Sequence, residues 1–393
     1  MKILFICNTP NSRNTGMAKI INYTADEMRR SGHDVDLIFR EDVVSFGSFR
    51  RVSEILFPFL LFFPMGRLWK KKGKHDAVAI HSLEGAFYVL LRKFFKHLPP
   101  CLIISFGSDE MRWELELEED KLGLRKLRKT TKFLYPLIWI GQARFATKYA
   151  DHVIVSARSE ISFYQQRYGM NPAGVTFVPN GAAEEYFISR DYKRPPRKLL
   201  FLGGWEWRKG ILYLSEAFSQ IAETMPQVTL SLVGVGTGGA DVKNCFPDKL
   251  HSRINVLSKV SVEETPGIYA EHDIFVFPTL FESMSLVVPE AMASGMPVIT
   301  TRTCGLQDAI ENGKHGLLVS PRNSRELGDK IAELICSAEL REKLGRSARE
   351  RARELMNWSV VADTYVNVFK KMIEKNSLAL SEDSSKTRDY LKS

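Results

Sequence analysis

Phe281-Glu282-Ser283-Met284-Ser285-Leu286-Val287-Val288-Pro289-Glu290-Ala291-Met292-Ala293-Ser294-Gly295-Met296-Pro297-Val298 is the stretch on which the reading of this chain turns. An apolar run, 273–278, ends just before it, as a buried strand does. Glu282 follows that run and Glu290 comes eight residues later. The second acid sits in a short helical pattern that Gly295 stops, and a new apolar run starts at Pro297. A strand end, an acid, a helix start and a second acid form a site for a polyhydroxylated, negatively charged ligand, such as a nucleotide-sugar.

Working outward, the same alternation fills the chain. Apolar runs at 3–7, 35–39, 77–80, 102–105, 152–155 and 175–178 read as buried strands, with helical patterns such as 17–30 and 158–168 between them. A polar segment with a Pro pair, 189–197, reads as a linker. Beyond it, runs at 198–202, 228–233, 254–257, 274–277, 298–300 and 317–319 repeat the pattern. Strands without internal polar alternation suit parallel sheets covered on both faces. The expected fold is α/β, with two doubly wound Rossmann-like domains and a cleft between them, at 1–190 and 196–359. A chain of 393 residues exceeds the usual size of one core, which agrees. Helical patterns fill 324–375, and 376–393 reads as a disordered tail.

Composition is that of an ordinary soluble protein, with 44% hydrophobic and 26% charged residues. The five cysteines form no Cys-x-x-Cys, which points to reduced thiols and a cytoplasmic setting. The N-terminal apolar run is too short for a signal peptide. The net charge of +9 is lopsided. Residues 1–190 hold 28 Lys and Arg against 20 Asp and Glu, a net +8. Segment 121–132 alone has six bases and no acid. Together with the apolar run 55–65 and its basic flanks, this leaves two readings for 46–74: a helix buried on the first domain, or a face that touches an anionic membrane. Residues 135–148 would extend such a face. No nucleic-acid partner is expected.

In doubly wound domains ligands gather beyond the carboxyl ends of the strands. The loop Gly203-Gly204-Trp205-Glu206-Trp207-Arg208-Lys209-Gly210 follows a strand and opens a helix. Its glycines allow close backbone approach, and Arg208 and Lys209 can neutralise phosphate. The backbone of Ser283, Met284, Ser285 and Leu286 offers N–H groups to phosphates. Glu282 can accept from sugar hydroxyls, and Glu290 from both hydroxyls of a ribose diol. From the other side of the cleft, the loop 8–17 brings Gly16 to the opening of a helix.

Together these residues resemble the retaining GT-B glycosyltransferases of the family 4 type, the glycosyl transferases group 1. The resemblance is carried by Glu282-x7-Glu290 with its Glu-Ala-Met-Ala-x-Gly-x-Pro-Val continuation, by Arg208-Lys209-Gly210 and by Pro179-Asn180-Gly181. It implies that Glu290 holds the ribose, Glu282 the donor sugar and Lys209, with Arg208, the diphosphate. Val260 would border the base, Gly203 and Gly204 would line the donor, and Gly16 would lie near the diphosphate. It also implies an acceptor-binding first domain, to which a final helix over 360–375 crosses back. Where the family commonly has His-Gly after a first-domain strand, this chain has Phe106-Gly107-Ser108-Asp109, so Asp109 or Glu110 becomes the acceptor-side candidate. The family's usual phosphate-binding Arg is replaced by Gly204, and its Glu-Gly-Phe-Gly by Glu282-Ser283-Met284-Ser285. The expected activity is metal-independent transfer from a nucleotide-sugar to a sugar or lipid-linked acceptor in surface-glycan assembly, with no cofactor. A nucleotide-sugar epimerase or hydrolase, and a non-catalytic partner subunit, are the competing readings.

Overall fold

A computed structural model describes residues 1–13, 16–43, 56–105, 107–124 and 126–390, with side chains through 381. Each of the twelve apolar runs overlaps one strand, and every strand pairing among the described residues is parallel. The first sheet holds β1 (Lys2–Ile6), β2 (Asp34–Ile38), β3 (Ala77–His81), β4 (Cys101–Ser105), β5 (His152–Val155) and β6 (Val175–Phe177). Their spatial order is β2-β1-β3-β4-β5-β6. The second sheet holds β7 (Lys198–Leu202), β8 (Thr229–Val233), β9 (Ile254–Leu257), β10 (Ile274–Phe277), β11 (Val298–Thr301) and β12 (Leu317–Val319), in the order β12-β11-β10-β7-β8-β9. β3, β4, β10 and β11 are buried along almost their whole length, as strands covered on both faces must be.

The last helix runs Trp358–Tyr390. It packs on the first sheet's side of the molecule, where Phe369 meets Phe5 edge-on at 5.9 Å and Trp358 stacks on Tyr23 at 5.5 Å. The tail expected to be disordered is therefore helical to Tyr390. Residues 376–390 contain neither Gly nor Pro, so nothing in them breaks the preceding helix. The segment read as a linker is also tied down. Arg190 donates to the carbonyls of Ser294, Tyr269 and His272, and the buried Tyr192 donates to Gly295 O at 2.8 Å.

The apolar run 55–65 divides between its two readings. Phe57, Leu61 and Met65, four residues apart, face the core with almost no exposure. Leu56, Phe59 and Phe63 point outward, Phe63 being 67% exposed. Residues 46–55 of the anticipated membrane patch lie outside the described residues, as do Asn14, Thr15 and Phe106 of the loops singled out above. Phe133 and Leu137 are likewise exposed, just after Lys129 and Lys132 in the chain. Among the described residues, no helix is long and apolar enough to cross a membrane.

Candidate active site

In the second sheet the chain reverses its spatial order between β7 and β10, and a crevice opens at that switch point beyond the carboxyl ends of the strands. The loops leaving those two strands carry the chemistry. They are laced together, because Arg208 O accepts from Leu280 N at 2.7 Å and from the Thr279 hydroxyl at 2.9 Å. Gly210 makes that possible. Its φ is +74°, and a Cβ there would lie 1.8 Å from Pro278 O. The glycine thus lets the β7 loop lie against the β10 loop and delivers Lys209 to Glu282.

The Lys209 ammonium is hydrogen-bonded to Glu282 Oε2, and Arg208 Nη1 lies 3.4 Å from the same oxygen. Burial pushes the Glu282 carboxyl up, but Lys209 and Arg208 outweigh it and hold the group below the ordinary carboxylate range. Glu290, on helix Val287–Ala293, is set the other way. Burial raises its pKa, and hydrogen bonds from Lys19 and Tyr269 only partly offset this. Lys19 Nζ is 2.6 Å from Glu290 Oε1, and Tyr269 Oη is 3.1 Å from Oε2. The two carboxyls are therefore shifted in opposite directions from the ordinary value.

A cavity of about 970 Å³ connects these groups. Glu282, Glu290, Arg208, Lys209, Gly203, Gly204, Val260, Met284, Ser285 and Leu286 line it from the second sheet's side. Gly16 lines it from the first, and Lys19 one helical turn beyond. Helix Gly16–Arg30 begins at that glycine, where an added Cβ would lie 3.7 Å from Leu286 Cδ1. Apolar walls, two carboxylates and several cations around one void suit a ligand with both hydroxyls and phosphates.

Two family models match the chain. The model of "Glycosyl transferases group 1" covers residues 196–337, and that of "Glycosyltransferase Family 4" covers 14–186. The chain belongs to the group 1 glycosyltransferases. Sucrose-phosphate synthase of Thermosynechococcus elongatus has the same GT-B fold as this group 1 chain, with a TM-score of 0.75 at 20% identity over 95% of this chain and 100% of that one. Anabaena HepE, solved in complex with UDP, superposes with a TM-score of 0.69 at 15% identity over 94% of this chain and 100% of that one. The D-inositol 3-phosphate glycosyltransferase of Corynebacterium jeikeium is 29% identical over 57% of this chain and 58% of its own length. This group 1 chain spans about half the length of the curated relatives it matches.

Three anticipated residues are not in the cavity. Ser283 turns away from it. Its hydroxyl meets Ser156 Oγ at 2.8 Å and donates to Glu160 Oε2 at 3.0 Å, across the seam between the sheets. Glu110 is occupied by Arg167 Nε at 2.7 Å and Tyr168 Oη at 3.2 Å, within the first domain. Its carboxyl is spent on local pairing, so it is not offered to an acceptor. Asp109 is half-buried and accepts from Ser82 Oγ at 2.9 Å, with burial raising its pKa. It stands at the carboxyl end of β4. That end faces the donor loop, since Gly107 lies 3.4 Å, at its would-be Cβ, from Ser283 Cβ.

Sequence reasoning missed Lys19, Tyr186, Tyr269, Asn180 and Glu160. Asn180 was quoted only within Pro179-Asn180-Gly181, yet its amide donates to Met284 O at 2.6 Å and so shapes the donor loop. Glu160 is buried, with Oε1 lacking any partner, and burial lifts its pKa to about 7. Lys19 had one legible signal, its position one turn after Gly16. The chain also contains an Asp-x-Asp pair that the sequence reading passed over, Asp34 and Asp36. It lies on β2 outside the cavity, where Asp36 pairs with Lys72 at 2.6 Å and His75 at 3.0 Å. Among the described residues no cluster of three or more His, Cys, Asp or Glu is placed to hold a metal.

Proposed function

We propose that this chain transfers a sugar from a nucleoside-diphosphate-sugar to an acceptor hydroxyl with retained anomeric configuration. One observation carries the reading: Glu282, Glu290, Lys209 and Arg208 converge on a single cavity at the switch point of the second sheet. In this reading Glu290 takes the ribose and Glu282 the transferred sugar. Lys209 and Arg208 face the diphosphate. As the bond from the anomeric carbon to the phosphate oxygen breaks, negative charge grows on the leaving group, and fixed cations in a closed cavity stabilise it. The acceptor oxygen bonds to the anomeric carbon on the same face, and its proton passes to the departing phosphate. No protein base is needed for that transfer. Donor phosphates also draw Lys209 away from Glu282, which frees Glu282 to accept from sugar hydroxyls. Arg208 takes the part of the cation that Gly204 lacks. Donor binding in this reading needs no divalent metal, because Lys209 and Arg208 supply the charge.

The acceptor is proposed to be a sugar carried on a lipid or another anionic carrier, met at the cytoplasmic face of a membrane during surface-glycan assembly. What supports this is the exposed set Phe59, Phe63, Phe133 and Leu137 beside Lys70, Lys71, Lys72, Lys129 and Lys132 on the first domain. Asp109, at the cleft edge of that domain, is the proposed acceptor-side group.

A thermal-shift and mass-spectrometric screen of nucleotide-sugars, with and without EDTA, tests the donor half. The expected result is one nucleotide class that stabilises the protein, unaffected by EDTA, with the shift abolished in Glu290→Ala. Absence of any nucleotide effect, with Glu290→Ala unchanged, sinks the reading. Rapid donor turnover without acceptor would replace it with a hydrolase or epimerase. NMR of the product against an α-linked donor reads the anomeric outcome.

A further inference from the structure

Glu290 and Lys19 come from different halves of the molecule. Glu290 is 3% exposed, and the Lys19 side chain reaches it from helix Gly16–Arg30 across the cleft. Lys19 Nζ also lies 3.1 Å from Tyr186 Oη, which is itself 2.8 Å from Thr265 Oγ1. The ammonium sits 5.2 Å from the Tyr186 ring centroid and 6.0 Å from that of Tyr23. The titratable groups packed around Glu290 are thus Lys19, Tyr186 and Tyr269, with Tyr23 behind Lys19; elsewhere the cavity lining holds Arg13, Lys259 and Glu264 together with Glu206, Arg208, Lys209 and Glu282 of the phosphate side.

An ionised carboxylate accepts at about four lone-pair positions. Lys19 and Tyr269 use two of them, one on each oxygen. That leaves room for the two hydroxyls of a vicinal diol. A protonated carboxyl has fewer acceptor positions and adds a donor, so it cannot accept from both hydroxyls and keep Tyr269. A buried carboxylate without a nearby cation takes up a proton. Glu290 has Lys19 as its one cation at hydrogen-bonding distance among the described residues.

We infer that Lys19 is a positioning residue for the nucleotide: reaching over from the acceptor-side domain, it keeps Glu290 in the acceptor-only form that reads a ribose diol. This rests on the cavity being a nucleotide-sugar site. Its consequence is that donor affinity depends on cleft closure, because opening the cleft takes Lys19 away from Glu290. Lys19 need not touch the reacting atoms.

The test is isothermal titration calorimetry with UDP, GDP and ADP at pH 6.0, 7.0 and 8.5, on the intact wild-type protein and on Lys19→Met, Lys19→Arg and Glu290→Gln. Wild type is expected to bind one of the nucleotides with little change over that range. Lys19→Met should bind it about tenfold more weakly at pH 7, a loss equivalent to about one pKa unit. The deficit should widen at pH 6.0 and shrink at pH 8.5, as Glu290 regains its charge without help. Lys19→Arg should restore most of the affinity, and Glu290→Gln should be weak at every pH. Melting curves on the same samples show whether each variant is folded. Lys19→Met binding like wild type at all three pH values overturns the inference, and so does a loss that is uniform across pH, which marks a merely structural role. Failure of the wild type to bind any nucleotide overturns the underlying reading of the cavity instead.

Discussion

The two sheets share an architecture but use their carboxyl edges differently. On the second sheet, the loops after β7 and β10 are short, laced together and rich in paired charge, and nearly every anticipated residue there lines the cavity. On the first sheet, the anticipated acids are held locally. Glu110 belongs to Arg167 and Tyr168, and Asp109 to Ser82. The first sheet contributes to the cavity instead through Gly16 and Lys19, and to the seam through Ser156 and Glu160. One half therefore builds its site from residues close together in sequence, and the other reaches into a site that is not its own. The lesson is that a cleft enzyme's second domain is better judged by what it places against the first than by its own polar clusters.

The sharpest way to break that contrast is Lys209→Ala. If the second sheet carries the charge stabilisation, transfer should fall by about 10²–10³, as loss of a preorganised electrostatic group usually costs. Steady-state rates with the donor found in the screen check this. A loss below fivefold would move the function elsewhere. Gly210→Ala should follow in size. At φ +74°, with Pro278 O in the way, the added methyl has to push the two loops apart. A destabilisation of about 2–4 kcal/mol, in the range of overpacking plus a strained φ, is expected by chemical denaturation, together with weakened donor binding.

Glu160→Gln addresses the seam. The Glu160 pKa is raised from 4.5 to about 7, so the fold binds its proton more tightly than the unfolded chain does. Below about pH 4.5 both states are protonated and nothing is lost. As pH rises through that value towards 7, the unfolded chain gives up the proton first, and stability falls by up to about 3 kcal/mol. The amide is neutral at every pH. It keeps an oxygen for the Ser156 and Ala157 N–H groups and the Ser283 hydroxyl. Glu160→Gln should therefore melt several degrees above wild type at pH 8 and close to it at pH 5. Equal melting temperatures at pH 8 would remove the buried-acid penalty from the account.

Smallest in stability, yet decisive for the acceptor half, is the pair Phe63→Ser and Phe133→Ser. Both rings are largely exposed, so each change should shift stability by less than about 0.5 kcal/mol. Sedimentation with anionic liposomes at low salt should nevertheless drop, while donor binding stays the same. Unchanged liposome binding would detach the exposed aromatics from any membrane role.

Much of this molecule could be read from its residues. Apolar runs of three to six residues without polar alternation placed all twelve described strands, because a strand covered on both faces has no solvent side to record. Glu282, Arg208 and Lys209 were legible because each lies five to seven residues past a strand end, where a parallel sheet must present its loops, and Glu290 because it follows Glu282 by eight residues in a short helical pattern. The side-chain partners of Ser283 were not legible, for the same local reason. Its backbone belongs to the donor loop, but its hydroxyl was claimed by Ser156 and Glu160, more than a hundred residues away. Residues 376–390 looked too polar to fold, yet a helix already anchored by Trp358 and Phe369 propagates through residues that would not nucleate one.

What the chain determined by itself was the pair of doubly wound sheets, the linker between them and the chemistry of the loops after β7 and β10. Those follow from period, punctuation and short spacing, which act over a few residues. The tertiary structure alone decided which charges meet. It set Lys19 against Glu290 and Ser283 against Glu160, and it withdrew Glu110 from the cleft. Such pairings depend on how two sheets are oriented across a seam. A buried charge accepts whichever partner that orientation brings within about 3 Å, however far away it lies in sequence.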